Sequence, residues 1–169
     1  NTDPGRITIM GDSAGGNLAA AVALMARDKG EFQVHRQILI YPALYNTYTA
    51  ASPYASVQEN GTDYLLTAVK MQDYLKLYES CPEDRINPYF APLLAKDFSD
   101  MPETLILTAE FDPLRDEGED YGRKLAEAGN YVEVHRIKDA LHGFFALGIR
   151  FFHVQKSFSY MNEFLKREV

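Results

Sequence analysis

The stretch RITIMGDSAGG, residues 6–16, decides the fold of this chain. Its first five residues are mostly apolar or β-branched and end at a glycine, which predicts a buried β-strand over residues 6–10. A helical pattern follows over residues 14–29 and ends before Gly30. The apolar face predicted for this helix contains Leu18, Val22 and Met25. A strand that enters a helix through a glycine-rich turn is typical of α/β proteins.

Strand and helix patterns continue to alternate along the rest of the chain. The predicted strands cover residues 37–41, 104–109 and 131–137, and the predicted helices cover residues 64–79, 116–128 and 151–167. Asp116 and Glu119 have the spacing of a capping box at the start of one of these helices. Because alternating strands and helices form parallel sheets covered on both faces, we expect an α/β fold with a doubly wound, mostly parallel sheet.

Composition excludes several classes of protein. The chain of 169 residues has 17 Lys and Arg against 24 Asp and Glu, a formal charge of −7, and no basic run, which argues against nucleic acid as a partner. Its longest apolar run, residues 18–26, is much shorter than the roughly 18 residues of a membrane span. A single cysteine, Cys81, excludes an internal disulfide and a cysteine-based metal site and favours a cytoplasmic location. We expect one domain over residues 1–169.

The segment between the second and third predicted strands is unusually long. It contains roughly sixty residues, well beyond ordinary loop lengths. In parallel sheets the functional groups lie on loops at the carboxyl ends of the strands. We therefore expect a cap-like insert over residues 45–95 that lies over such a site.

The motif G-x-S-x-G within residues 11–16 predicts a nucleophile. It follows a predicted strand and opens a predicted helix, the context of the strained turn that exposes a nucleophilic serine, here Ser13. The start of the helix offers backbone N–H groups to a developing oxyanion. The turn is formed by Gly11, Asp12, Gly15 and Gly16, and we expect the glycines two residues on either side of Ser13 to be required sterically. The alternative is a glycine-rich turn that binds a phosphate or only packs tightly.

A serine hydroxyl needs a base, and the base needs a carboxylate to orient it. His142 lies in the loop after the fourth predicted strand, at the same sheet edge as Ser13, whereas His35, His135 and His153 have no such position. Asp112 follows the third strand and is the predicted orienting group, with Glu110 nearer the strand as the other carboxylate and a solvated loop as the structural alternative. Serine, aspartate and histidine after successive strands is the order found in α/β-hydrolases.

Three segments together resemble the hormone-sensitive-lipase-like family of α/β-hydrolase esterases: GDSAGG at 11–16, EFDPLRDEG at 110–118 and LHGFF at 141–145. Residues 41–42 and 87–93 are also similar to that family. The resemblance implies a catalytic triad of Ser13, Asp112 and His142 and hydrolysis of small esters with short to medium acyl chains. It also implies that no metal or organic cofactor is needed, and that the insert is a cap.

The resemblance runs from Asp3 to the C-terminus, and the chain departs from the family pattern in what lies upstream of the nucleophile. The family's His-Gly-Gly-Gly segment, which supplies oxyanion N–H groups upstream of the nucleophile, has no counterpart here. We therefore expect the C-terminal portion of such an enzyme, a partial fold that lacks the N-terminal strands. The strand at 6–10 would then be an unpaired edge that pairs with another chain, for example in a homo-oligomer. The Ala14 N–H would remain the main oxyanion donor, and the loss of one such donor costs roughly 10²–10³ in rate.

The expected reaction is ester cleavage through an acyl-enzyme formed on Ser13. Leu114, Phe144 and Phe145 are near enough in sequence to line the acyl pocket, or else belong to the core. Two other functions fit the same residues. One is a serine peptidase of the same fold, although a bulky aromatic residue would then be expected where Ala14 stands. The other is a non-catalytic remnant or an inactive fragment that keeps the triad residues.

Overall fold

The centre of the fold is a sheet built from four short apolar runs. The computed structural model describes residues 7–167. The strands pair in chain order and every pairing is parallel. They are β1 (Thr8–Asp12), β2 (Arg36–Ile40), β3 (Glu103–Phe111) and β4 (Val132–Leu141). A parallel order of this kind brings the carboxyl ends of all four strands to one edge of the sheet.

Helices cover both faces of the sheet, because neighbouring residues of each strand point to opposite sides. Ile38 and Ile40 belong to a core with α5 (Phe152–Lys166). Leu39 belongs to a second core with α1 (Ala14–Lys29) and α4 (Arg115–Glu127). This arrangement confirms the predicted α/β fold with a doubly wound parallel sheet.

Helix α1 has the predicted bounds but buries a different face. Leu18 is 53% exposed and Val22 is exposed as well, whereas the buried face consists mainly of alanines. The cause is a close approach between the helix and the segment after β2. A Cβ atom on Gly16 would lie 2.8 Å from the Cβ of Pro42, so no side chain fits at this position. Leu24, further along the helix, is the large apolar side chain of the buried face.

The capping box predicted from Asp116 and Glu119 does not form. Helix α4 begins at Arg115, and its N-cap residue makes no side-chain capping hydrogen bond. The Asp116 carboxylate instead accepts the Ser56 N–H, and Glu119 pairs with Arg136 on β4. Tertiary partners have replaced the local interaction that the spacing suggested.

Several boundaries differ from the sequence prediction. The first strand runs from Thr8 to Asp12, and Arg6 lies outside the described residues. Helix α3 (Ala68–Tyr78) starts later than predicted, because the Thr67 side chain caps it by accepting the Lys70 N–H. Strand β4 continues four residues beyond the predicted end, to Leu141. This extension places His142 directly at the carboxyl edge of the sheet.

Strand β1 forms one edge of the sheet within residues 7–167. Its Met10 side chain is 57% exposed, and Ile7 just before it is about half exposed. Such an edge presents unpaired N–H and C=O groups. Pairing of this strand with another chain, and the homo-oligomer that it would produce, stay predictions.

The segment between β2 and β3 has a small core of its own. It contains α2 (Ala55–Asn60), α3 and two short 3₁₀ helices at Pro82–Ile86 and Pro92–Leu94. Its buried side chains include Tyr48, Val57, Met71, Leu75 and Phe90, which pack together with Leu114. None of the helices described in residues 7–167 has both the length and the apolar character needed to span a bilayer.

Candidate active site

The turn between β1 and α1 holds Ser13 in a strained conformation. Its φ is 52° and its ψ is −117°, a region that residues other than glycine rarely adopt. A Cβ atom on Gly11 would fall on the carbonyl group of Gly15, so position 11 must be glycine. At Gly15, by contrast, a Cβ would meet only Asp12 Oδ1, at 3.9 Å. The expectation that both flanking glycines are required therefore holds for Gly11 and not for Gly15.

The start of α1 presents free N–H groups beside Ser13. The Asn17 N–H donates to the Ser13 carbonyl at 3.1 Å, which is the first hydrogen bond of the helix. The N–H groups at positions 14–16 therefore have no partner inside the helix. The Ser13 N–H is already used, because it donates to the Ile40 carbonyl at 2.9 Å. Ala14, which is exposed, thus carries the free N–H adjacent to the serine.

Ser13, His142 and Asp112 form a continuous hydrogen-bonded chain. Ser13 Oγ lies 2.8 Å from His142 Nε2, and His142 Nδ1 lies 2.7 Å from Asp112 Oδ2. Because an ionised carboxylate can only accept, the proton lies on Nδ1, and Nε2 is left to accept the Ser13 hydroxyl hydrogen. The Asp112 side chain is fully buried and that of His142 is 12% exposed. The fold thus joins three segments that lie far apart in the sequence.

The two carboxylates after β3 have different partners. Asp112 Oδ1 accepts the Leu114 N–H at 2.9 Å, which leaves Oδ2 directed at His142. Glu110 Oε2 accepts the Asp139 N–H at 2.7 Å and so holds the turn three residues before His142. Asp139 needs this support because its φ is 58°. Of the two candidates, Asp112 contacts the imidazole.

Tyr41, which no sequence motif assigned to the site, also contacts the imidazole. Its ring centroid lies 4.7 Å from that of His142, and its hydroxyl donates to Asp12 Oδ2 at 3.4 Å. Burial, with the nearby Asp12 carboxylate, raises the pKa of the Tyr41 phenol, so the hydroxyl keeps its proton and remains a donor. The available signal was its position, directly after β2 at the same edge of the sheet as Ser13.

A buried glutamate on α4 anchors the segment that follows β2. Glu117 Oε1 accepts the Leu44 N–H at 2.6 Å, the Tyr45 N–H at 3.3 Å and the Tyr48 hydroxyl at 2.9 Å. Burial raises the pKa of Glu117 to about 8, and the charge of Asp112 acts in the same direction. At neutral pH this carboxyl group is therefore mostly protonated.

Two grooves flank the hydrogen-bonded chain. The Ser13 groove has a volume of about 450 Å³ and is lined by Ser13, Ala14, Asn17, Leu18, Ala43, Tyr45, Met71, Tyr74, Leu75, Tyr78 and Phe90. The His142 groove, of about 210 Å³, is lined by residues 139–144 together with Leu65, Leu147 and His153. The Ser13 groove is mainly apolar, and most of its wall comes from the segment between β2 and β3.

The side chains predicted to line an acyl pocket do not belong to the lining of the Ser13 groove. Leu114 is fully buried in the core of the inserted segment, and Phe144 is buried in the core beneath α5. Phe145 packs against that same core. None of the three lines the Ser13 groove. Proximity in sequence to Asp112 and His142 did not bring them to the Ser13 groove, although Phe144 also lines the His142 groove. Their assignment to an acyl pocket stays a prediction.

The chemistry available to this arrangement is proton transfer from a hydroxyl. A serine oxygen hydrogen-bonded to an imidazole, which is held by a buried carboxylate, becomes nucleophilic as its proton moves to the ring. The Ala14 N–H, at the start of α1, has no partner inside the helix. Within residues 7–167, no group of three or more His, Cys, Asp or Glu side chains is placed to hold a metal ion.

Comparison with known proteins gives relatives that cover most of the chain. It is 36% identical over 143 residues to an arylesterase of Saccharolobus solfataricus, an alignment of 84% of this chain and 45% of the relative. It is 37% identical over 147 residues to an ethyl acetate hydrolase of Pseudomonas putida, covering 86% of this chain and 45% of the relative. The chain therefore spans about half the length of these relatives.

The fold is also shared with solved structures. A hyperthermophilic esterase from the archaeon Pyrobaculum calidifontis superposes with a TM-score of 0.87 and 41% sequence identity, over 98% of this chain and 53% of that protein. Residues 1–146 match the model of a family described as having the alpha/beta hydrolase fold. This match covers most of the chain and confirms the resemblance predicted from the three motifs. The chain belongs to the α/β-hydrolase fold family.

Proposed function

We propose that this chain carries the active site of a carboxylic ester hydrolase in which Ser13 is the nucleophile, His142 the base and Asp112 the orienting carboxylate. The observation that supports this most is the pair of hydrogen bonds, 2.8 Å and 2.7 Å long, that link the three side chains in order. The names of the relatives, which refer to ester hydrolysis, favour an ester over a peptide as substrate.

The proposed reaction proceeds through an acyl-enzyme. His142 takes the proton of Ser13 as Oγ attacks the ester carbonyl, and Asp112 stabilises the imidazolium that forms. The ring then gives this proton to the departing alcohol. Water, deprotonated by the same ring, cleaves the acyl-enzyme and releases the acid.

The oxyanion of the tetrahedral intermediate would lie at the start of α1. The Ala14 N–H is next to Ser13 and has no partner within the helix, and the positive end of the helix dipole adds to its effect. One donor of this kind contributes roughly 10²–10³ to the rate. Ala14 is therefore the backbone group that we assign to the oxyanion hole.

The Ser13 groove provides space for an apolar chain of the ester. Its volume of about 450 Å³ and its wall of apolar side chains, among them Met71 and Leu75, suit acyl groups of short to medium length. In this proposal the segment over residues 45–95 acts as a cap, because it supplies most of that wall.

The test is hydrolysis of p-nitrophenyl butyrate by the chain and by its Ser13→Ala variant. We expect turnover by the chain and a loss of at least 10³-fold in the variant, because no second hydroxyl can replace Ser13 in the hydrogen-bonded chain. Phosphorylation of Ser13 by diethyl p-nitrophenyl phosphate, detected by mass spectrometry, tests the reactivity of the serine hydroxyl independently of turnover. Equal hydrolysis rates and no phosphorylation would show a non-catalytic remnant instead.

A further inference from the structure

A buried asparagine one helical turn after the nucleophile joins two separate parts of the chain. Asn17 Nδ2 donates to the Ala43 carbonyl and to the Phe90 carbonyl, both at 2.8 Å. The residue is 8% exposed, and its own N–H is bonded to Ser13. A single amide thus ties the segment after β2 and the inserted segment to the start of α1.

Both acceptors belong to walls of the Ser13 groove. Ala43 and Phe90 line it from different segments of the chain, and Asn17 lies between them. The same two segments are joined once more by a hydrogen bond from the Leu93 N–H to the Leu44 carbonyl, at 3.1 Å. This backbone bond keeps the segments associated when the amide is changed. The Asn17 side chain is thus hydrogen-bonded to both walls next to Ser13.

A contribution to stability does not by itself explain why an asparagine stands at position 17. Its Oδ1 atom is buried and has no hydrogen-bond partner among residues 7–167. An unpaired buried acceptor of this kind is destabilising, and each such group in a native protein calls for an explanation. An apolar side chain would remove the unpaired oxygen but could not hold two carbonyl groups at a fixed distance.

We propose that Asn17 is a positioning residue that sets the width of the Ser13 groove and thereby selects the apolar ester chains that the groove admits. This rests on the proposed function. Each methylene that is buried between two walls in contact with it raises affinity about fourfold. The gain requires contact within roughly 4.5 Å on both sides, so a wider groove gives less affinity per methylene.

The test variant is Asn17→Asp, in which a side chain of nearly the same size can no longer donate and repels both carbonyl groups. The matched control is Asn130→Asp. Asn130 Nδ2 also donates to two backbone carbonyls, those of Phe98 and Leu125, but it lies just before β4, at the end of the sheet away from Ser13. The control therefore loses an equivalent pair of hydrogen bonds without any change at the groove.

Two measurements test how activity and binding depend on the length of the apolar chain of the ligand. The first is kcat/KM for p-nitrophenyl acetate, butyrate and hexanoate. The second is binding of n-alkanols from ethanol to octanol, observed by NMR at the labelled methyl group of Met71, which lies in the groove. We expect affinity to rise about fourfold per methylene in the wild-type chain and in Asn130→Asp. In Asn17→Asp we expect a rise of less than about twofold, with a matching loss of preference for hexanoate over acetate.

Wild-type dependence on chain length in Asn17→Asp would overturn the proposal. If that variant does not fold, Asn17→Ala removes the same donors without a charge and is judged by the same criterion. If the wild-type chain binds longer alkanols more tightly but hydrolyses no ester, the proposed function fails. A smaller gain in alkanol affinity per methylene in the variant would still support the role of Asn17. Alkanol binding by the wild-type chain that is independent of length would overturn that role.

Discussion

Replacement of Glu117 by glutamine tests the electrostatics beneath the proposed site. The glutamate is completely buried, and its Oε1 accepts hydrogen bonds from the segment around Leu44 and Tyr48. Glutamine has nearly the same shape and keeps an acceptor oxygen at that place. The substitution therefore removes the ionisation of this group and leaves the local structure in place.

The expected magnitude follows from the pKa of Glu117. Burial raises it from 4.5 to about 8, and one pKa unit corresponds to roughly 1.4 kcal/mol. Ionising this carboxyl group therefore costs about 5 kcal/mol more in the folded chain than in the unfolded chain. A raised acid pKa means that the folded state holds the proton more tightly than the unfolded state. The associated stability is fully present below pH 4.5, is lost as the pH rises toward 8 and is absent above it.

The assay is urea unfolding of the wild-type chain and of Glu117→Gln at several pH values between 4.5 and 9. We expect the free energy of unfolding of the wild-type chain to fall, relative to the variant, by about 1.4 kcal/mol per pH unit up to pH 8 and then to stay level. Leu125→Ala, a buried change on the same helix without an ionisable group, should give a curve parallel to the wild type. A difference between wild type and Glu117→Gln that stays constant over this range would refute the reasoning.

Two further predictions concern the turn and the triad. Gly11→Ala should abolish folding or lower the melting temperature by more than 10 °C, because its Cβ would fall on the Gly15 carbonyl, whereas Gly15→Ala should shift it by only a few degrees; equal shifts in thermal denaturation would contradict this. Asp112→Asn should lower kcat on p-nitrophenyl butyrate by about 10⁴-fold by favouring the wrong tautomer of His142. A loss of less than tenfold in that assay would show that Asp112 does not orient the ring.

The candidate site could be predicted to the level of its three side chains. Each follows a strand of a parallel sheet, and such positions meet at one edge whatever the details of packing. The choice between Glu110 and Asp112 was less certain from sequence. Glu110 accepts the Asp139 N–H and Asp112 contacts His142, in a region where the register between β3 and β4 shifts near Ala109 and Phe111. No local pattern carries that information.

The lining of the groove could not be predicted from sequence proximity. Leu114 and Phe144 are close in sequence to Asp112 and His142, yet both side chains point into the core. The groove wall comes instead from α3 and from the segments at Ala43 and Phe90, which are brought to Ser13 by long-range packing.

The sequence by itself determined the order of strands and helices, the strained turn at Ser13 and the edge of the sheet at which the functional groups meet. These features depend on residues that are neighbours in the chain, so local sequence patterns predict them. Only the tertiary structure decided which face of α1 is buried, how Glu117 is ionised and that Asn17 spans two walls. Each of these depends on contacts between distant segments, such as the 73 residues that separate Asn17 from Phe90. Burial and hydrogen-bond partners of this kind arise only when the chain is packed.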